Sequence, residues 1–211
     1  MDSLSAKPKR PTCARCLRAS SACICDCAET VEHLCEVLIL QHPDEARHIK
    51  SSGRLLHLCL PHSQIEIGLA FEPSHLNAIL QLDGKQNVLL YPETESPQTE
   101  RNSPSIWQEF PVTQLRLIIL DASWRQSRVM LKANPQLQSL PRMGLRETPN
   151  SRYVIRRAHK ADQLSSLEAC AYALQILEPE NDHCLKLLDA FDRFNHMQLA
   201  AGVHRLKRSA T

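Results

Sequence analysis

The sequence predicts an α/β fold, a mostly parallel sheet with helices on both faces, preceded by a small N-terminal zinc-binding lobe. Three observations carry this. Short aliphatic runs, Val37-Leu38-Ile39-Leu40, Ile65-Glu66-Ile67, Val88-Leu89-Leu90-Tyr91 and Leu117-Ile118-Ile119-Leu120, each have about the length of a buried strand. Segments of helical character alternate with them, the pattern of a parallel sheet covered on both faces. Residues 1 to about 30 differ from both, being rich in Cys and poor in large aliphatic side chains.

We therefore divide the chain into a Cys-rich zinc-binding lobe, residues 1–30, and an α/β domain, residues 31–211. A hydrophobic fraction of 43% over 211 residues fills one ordinary core and excludes disordered, collagen-like and low-complexity chains. The four aliphatic runs are the strands. After Ser123, the residues Trp124, Val129, Met130 and Leu131 suit a helix that stops at or before Asn134, because Pro135 disfavours helical dihedrals there. Leu164, Leu167, Ala171, Leu174 and Leu177 recur at three-or-four spacing and mark an amphipathic helix ending before Pro179. A last helix runs from about Asp182 to Leu199. Between Pro92 and Pro111, four prolines among many Ser, Thr and Glu residues read as a long loop.

Cys13-x-x-Cys16 followed by Cys23-x-Cys25 places four thiols within thirteen residues. Two close pairs joined by a short loop can converge on one tetrahedral ion, and four cysteine ligands with no open position describe structural Zn²⁺. So small a lobe has little core of its own, and metal binding would supply much of its folding free energy. Unpaired surface thiols or a redox pair are the competing readings. Cys35, Cys59, Cys170 and Cys184 stand in apolar-periodic contexts and read as core. An odd count of nine cysteines is no disulfide framework. With no apolar run long enough to span a bilayer and no apolar core at the start of the chain, the expectation is a soluble cytoplasmic protein.

The net charge of +2 conceals a basic block. Asp121 to Lys160 holds nine Lys or Arg against two acids, a net +7, so the remainder sums to −5. Lys7, Lys9, Arg10, Arg15 and Arg18 flank the cysteines, and Arg205, Lys207 and Arg208 lie in the tail. Clustered cations beside a polar site are the footprint of a polyanion such as RNA, since each one that meets a phosphate releases condensed counterions. The competing reading is a set of solvated faces.

The polar site is Asp121-Ala122-Ser123-Trp124, placed where a buried strand ends and a helix begins. Ligands of open α/β sheets bind outside the carboxyl ends of the strands, where a carboxylate can act as base, orienter or counter-charge. On residue chemistry alone an N-cap role for Asp121 or Ser123, with Trp124 in the core, is equally open. Ser165-Ser166-Leu167-Glu168 reads as a capping box, and a helix N-terminus also suits a ligand carboxylate.

The strand followed by Asp-x-Ser-Trp resembles the signature of the DTW-domain family, the tRNA-uridine aminocarboxypropyltransferases. Further segments agree in order: the four cysteines, His42-Pro43-Asp44-Glu45, Ser51-Ser52-Gly53-Arg54-Leu55-Leu56, Tyr91-Pro92, Leu140-Pro141-Arg142, and Tyr153-x-x-Arg156 leading to Leu164-Ser165-Ser166-Leu167-Glu168-Ala169. The resemblance covers about Thr12 to Glu178. Ser123 and Ser166 stand where the family often has Thr, Ala122 where it has Gly, Ser51 where it has Asn and His159 where it has Pro.

The resemblance implies transfer of the 3-amino-3-carboxypropyl group of S-adenosylmethionine to N3 of a tRNA uridine, with methylthioadenosine released. It also implies a SPOUT-like fold, knotted near the donor. Asp121, with Ser123 and Trp124 beside it, becomes the catalytic group, either accepting the N3 proton or binding the donor's ammonium, with His42 an alternative proton acceptor. Tyr91, Pro92, Leu120, Leu164, Ser165 and Ser166 become the donor-binding residues. Arg54, Arg125, Arg128, Arg142, Arg156 and Arg157 become the candidates for phosphate contacts. Two rivals stay open, a non-catalytic zinc-containing RNA-binding protein and a SPOUT-like methyltransferase. An NTP-dependent enzyme is disfavoured, since no Gly-x-x-x-x-Gly-Lys-Ser/Thr loop is present.

Overall fold

The computed structural model describes residues 11–92, 106–155 and 164–202. Among them, β1 (Glu36–Gln41), β2 (Ser63–Ile67), β3 (Gln86–Leu90), β4 (Leu115–Asp121) and β5 (Arg142–Met143) form one sheet in the order β2-β1-β4-β3-β5. Every neighbouring pair is parallel. Four of these strands coincide with the four aliphatic runs. The fifth, a two-residue pairing of Arg142 and Met143 with Leu89 and Leu90, is too short to leave a periodicity and was not anticipated.

Parallel strands need crossovers, and α-helices supply all but the one from β3 to β4, whose described part holds only short 3-10 turns. α1 (Pro43–Arg47) and α2 (Gly53–Cys59) lie between β1 and β2, α3 (Pro73–Gln81) between β2 and β3, and α4 (Trp124–Ala133) with α5 (Pro135–Gln138) between β4 and β5. α6 (Ser166–Leu177) and α7 (His183–Ala200) close the described chain. α4 stops before Asn134 and α6 before Pro179, as their prolines require.

The two-residue alternation of a strand sorts its side chains into two cores. Val37, Ile39, Val88, Leu117 and Ile119 face α2, α6 and α7, where Leu55, Leu174, Phe191 and Phe194 are fully buried. Leu38, Leu40, Leu89, Ile118 and Leu120 face α3, α4 and α5 through Leu76, Met130 and Leu137. Helices thus cover both faces. Cys35, Cys59 and Cys170 are core, with burial pushing their thiols up, to about 12 for Cys35 and about 11 for Cys59. The Cys184 side chain lies outside the described residues. The helix expected after Ser123 is α4; Met130, Leu131 and Ser127 are buried on it, whereas Trp124 and Val129 are exposed, so the reading of Trp124 as a core residue does not hold.

The cysteine lobe does not stand on its own apolar residues. Its Cys16, Ile24 and Cys27 join the same core as α2, α6 and α7, Cys27 Sγ contacts Met197 Sδ at 3.8 Å, and Arg193 donates to the Cys27 carbonyl at 3.2 Å. Below the sheet, the buried Arg116 meets Glu36 at 2.9 Å and donates to the Ile79 and Leu82 carbonyls, joining α3 to the strand starts. No helix among the described residues is long and apolar enough to cross a membrane. Much of the Pro92–Pro111 segment lies outside the described residues.

Leu117 is fully buried between β1 and β3. Leu117→Ala should cost about 2–5 kcal/mol, read as a lower denaturant midpoint with an unchanged slope; a loss under about 1 kcal/mol would mean the site collapses around the cavity.

Candidate active site and metal site

A cavity of about 620 Å³ opens at the carboxyl ends of β3, β4 and β5. Its wall contains all six predicted donor residues, Tyr91, Pro92, Leu120, Leu164, Ser165 and Ser166, and all three predicted catalytic residues, Asp121, Ser123 and Trp124. Three helices begin on this wall, α2 after Ser52, α4 after Ser123 and α6 after Ser165. Their unpaired N–H groups give one end of the cavity an affinity for negative charge.

Asp121 ends β4 and is buried, with 4% of its surface exposed. Parallel register sets Gln41, the last residue of β1, directly beside it. Gln41 Nε2 donates to Asp121 Oδ2 at 2.7 Å, Ser51 Oγ donates to the same oxygen at 3.3 Å, and the Ser166 hydroxyl also bonds the carboxylate. Burial pushes the Asp121 carboxyl above its ordinary value, against the pull of these donors, and Glu45 pushes the same way. Gly53 explains how the donors come so close. A Cβ there would overlap Asp121 Oδ2 and lie 2.9 Å from Gln41 Nε2, so only glycine admits this approach.

Ser123 has a structural duty. Its hydroxyl and backbone N–H both bond Gln126 Oε1, at 2.6 and 3.0 Å, in a capping box that starts α4. Trp124 does not fill the core. It is 43% exposed, lines the cavity and meets Tyr91 edge-on at 5.6 Å. Ser165 caps α6 with Glu168, whose carboxylate also binds Ser151 Oγ at 2.8 Å and the Arg152 N–H at 2.6 Å. The capping box thereby ties this part of the cavity wall to the 151–155 segment.

In the lobe, Cys13 Sγ lies 3.7 Å from Cys25 Sγ and Cys16 Sγ 3.7 Å from Cys23 Sγ, with all four sulfurs within 4.8 Å of one another. A tetrahedral zinc with Zn–S of about 2.3 Å sets its sulfurs roughly 3.8 Å apart, so the donor set fits the ion. Backbone N–H groups of Cys16 and Arg15 hold the Cys13 thiol down at about 6, while burial pushes Cys25 up to about 12. One ligand is thus ready as thiolate, and the set as a whole needs a cation to deprotonate together.

The DTW domain model matches residues 10–199, nearly the whole chain. The chain belongs to the DTW-domain family. It is 32% identical over 186 residues to tRNA-uridine aminocarboxypropyltransferase 2 of Drosophila melanogaster, a match covering 83% of this chain and 70% of that protein. Its identity to the Macaca fascicularis protein of the same name is 30% over 180 residues, covering 82% of this chain and 58% of the relative. tRNA-uridine aminocarboxypropyltransferase A of Arabidopsis thaliana is 26% identical over 144 residues, 63% of this chain and 54% of that one. The DTW chain described here thus spans 58% of the length of its macaque relative. No solved structure matches it.

The arginines of this DTW domain divide by environment. Arg125 lines the cavity and Arg128 follows on the same helix, both exposed and without a protein partner among the described residues. Arg142 instead lies over the Tyr91 ring at 5.4 Å and donates to the Pro92 carbonyl at 3.2 Å, bracing the rim. Arg54 is half-buried near Cys16. Arg156 and Arg157 lie outside the described residues, as do Lys7, Lys9 and Arg10. His42 caps α1, its Nδ1 accepting from the Asp44 N–H at 3.1 Å and from Gln126 Nε2 at 3.2 Å.

Sequence reasoning missed Gln41 and named Tyr153 only within the family pattern, with no role. Gln41 carried a signal, a lone polar residue closing a buried strand. Tyr153 lines the cavity, stacks edge-on against Phe191 at 4.9 Å and donates to the Lys50 carbonyl.

The Asp121 carboxyl, raised in the folded state, gives stability that is full below its unfolded value near 3.8 and is lost as pH rises through the folded value. Asp121→Asn should therefore be more stable than the parent at neutral pH, with the difference shrinking towards pH 4. Urea unfolding at several pH values reads this, and a pH-independent difference would contradict a raised carboxyl.

Proposed function

We propose that this chain transfers the 3-amino-3-carboxypropyl group of S-adenosylmethionine to N3 of a tRNA uridine, forming acp3U and releasing methylthioadenosine. The observation that carries the reading is the Asp-x-Ser-Trp segment set at the end of a central strand, on the wall of a single cavity, in a DTW-family chain. Relatives named as tRNA-uridine aminocarboxypropyltransferases support the substrate class.

The donor supplies a sulfonium that leaves as a neutral thioether once its carbon chain is attacked. The chain's own residues would do the rest. Among the described residues, the charged side chains on the cavity wall are Asp121 and Arg125, the remainder being apolar, aromatic or hydroxyl-bearing. Trp124, exposed on the cavity wall, offers an aromatic surface to a cation. The N-termini of α4 and α6 suit the donor's carboxylate. The uridine N3–H must lose its proton as N3 bonds the γ-carbon and that carbon's bond to sulfur breaks. Asp121 accepts the proton, and its raised pKa makes it the stronger base for the task. Arg125 and Arg128, exposed beside the cavity, would meet tRNA phosphates.

In this reading residues 1–30 form a structural zinc lobe and residues 31–211 the catalytic DTW domain, of SPOUT-like and knotted type. The parallel sheet with a cavity at the strand ends is compatible with that class. The free thiols among the described residues suit a reducing compartment such as the cytoplasm.

Unmodified tRNA incubated with S-adenosylmethionine and the protein should yield aminocarboxypropyl-uridine with methylthioadenosine, read by nucleoside mass spectrometry. Asp121→Ala should lower that yield by about 10²–10⁴-fold with tRNA binding retained. S-adenosylhomocysteine with a methylated base would mean a methyltransferase; tRNA binding without donor turnover would mean a binding protein.

Metal analysis should find one zinc per chain, bound by the four cysteines that converge. Cys13→Ser combined with Cys16→Ser should abolish it and lower thermal stability. Zinc retained by the double variant would sink the four-cysteine assignment.

A further inference from the structure

Arg18 belongs by position to the basic residues around the cysteines, but its half-buried guanidinium is bonded to the main chain. It reaches across to the loop that joins α1 to α2. Nη1 donates to the Ile49 carbonyl at 2.7 Å and Nη2 to the Ser51 carbonyl at 2.8 Å. The face of the guanidinium lies 5.4 Å from the centre of the Phe194 ring on α7. The carbonyl between these two, that of Lys50, is taken by the Tyr153 hydroxyl. Three consecutive carbonyls of one irregular loop are therefore held by side chains from distant parts of the chain.

That loop ends at the Asp121 carboxylate. Ser51, whose carbonyl Arg18 holds, sends its hydroxyl to Asp121 Oδ2, and two residues later Gly53 packs against the same oxygen. A loop of this kind has no helix or strand ladder to satisfy its carbonyls, so side-chain donors set its path. A planar fork that bonds two carbonyls at once fixes position and direction together, which a single ammonium cannot do.

We propose that Arg18 is a positioning residue for Asp121, acting from the cysteine lobe through the main chain of Ile49 to Ser51. The lobe then serves the active site as a brace rather than as a handle for RNA. This rests on the reading of Asp121 as the carboxylate of the site, and the test separates the two.

The measurement is the titration of the Asp121 carboxyl by carbon-13 NMR in the full-length zinc-loaded protein, compared among the parent, Ser51→Ala, Arg18→Lys, Arg18→Gln and the double variant Arg18→Lys/Ser51→Ala. Loss of the Ser51 donor should move the midpoint up. Both Arg18 variants should move it the same way, and the double variant should move it no further than Ser51→Ala alone, since the two act in series. In the transfer assay both Arg18 variants should lose turnover, towards ~10²-fold for a misplacement on the order of 1 Å, while donor KM stays within about threefold. An unchanged midpoint in both variants, additive shifts in the double variant, or a shift in Arg18→Gln but not in Arg18→Lys would each overturn the proposal, the last by assigning the effect to charge. If the titrations couple as expected but no transferase activity exists, Arg18 still positions Asp121 and the functional reading fails alone.

Discussion

A carboxylate removed from water at the end of a central strand costs several kcal/mol unless donors replace the water it gave up. Among the described residues, the donors that reach Asp121 are an amide and two hydroxyls. Gln41 comes from the neighbouring strand, Ser51 from the loop before α2 and Ser166 from the first turn of α6. Each donor arrives from a different segment, and two of those segments, at Ser52 and at Ser165 and Ser166, line the same cavity. Much of the local architecture reads as the consequence of satisfying one group: the in-register end of β1, the glycine that starts α2, and the seating of α6 through its capping box.

Neutral donors satisfy the carboxylate without holding it permanently ionised, and this distinguishes Asp121 from the acids that build the fold. Glu36 is bound by Lys85 and Arg116 at 3.1 and 2.9 Å and is kept below its ordinary value. Its work is to stay charged and tie α3 to the strand starts. Asp121 is raised instead, at the opposite end of the same sheet, where a proton can be accepted and released. The sheet thus has a structural end, with paired charges, and a chemical end, with an acid among hydroxyls and an amide.

The fold was legible because two core faces have to be written into each central strand, and runs such as Leu117-Ile118-Ile119-Leu120 are apolar at every position for that reason. The ends of α4 and α6 were legible from proline and capping chemistry. β5 was not, since two residues carry no period. Trp124 could be read as site or as core because apolar type alone does not say which side of a helix faces the sheet. The signature around Asp121 pointed to the cavity, and the cysteine spacing to the convergent sulfurs. What stayed hidden were the residues whose role depends on contacts far along the chain: Gln41 through strand register, Tyr153 through Lys50, and Arg18 through a loop more than thirty residues away.

The arginines carry this point furthest. By composition they formed blocks suggesting one purpose, yet the structure gives them unlike environments. Arg18 holds loop carbonyls, Arg142 braces an aromatic rim, and Arg152 pairs with Asp192 at 2.9 Å, whereas Arg125 and Arg128 stand exposed beside the cavity. A guanidinium bonds carbonyls and carboxylates through the same fork it would offer to phosphate, so charge counting cannot separate a strut from a contact. Burial and existing partners can. On that criterion the positive charge open to a polyanion narrows, among the described residues of the central block, towards the exposed face of α4, directly beside the carboxylate whose environment organises the site.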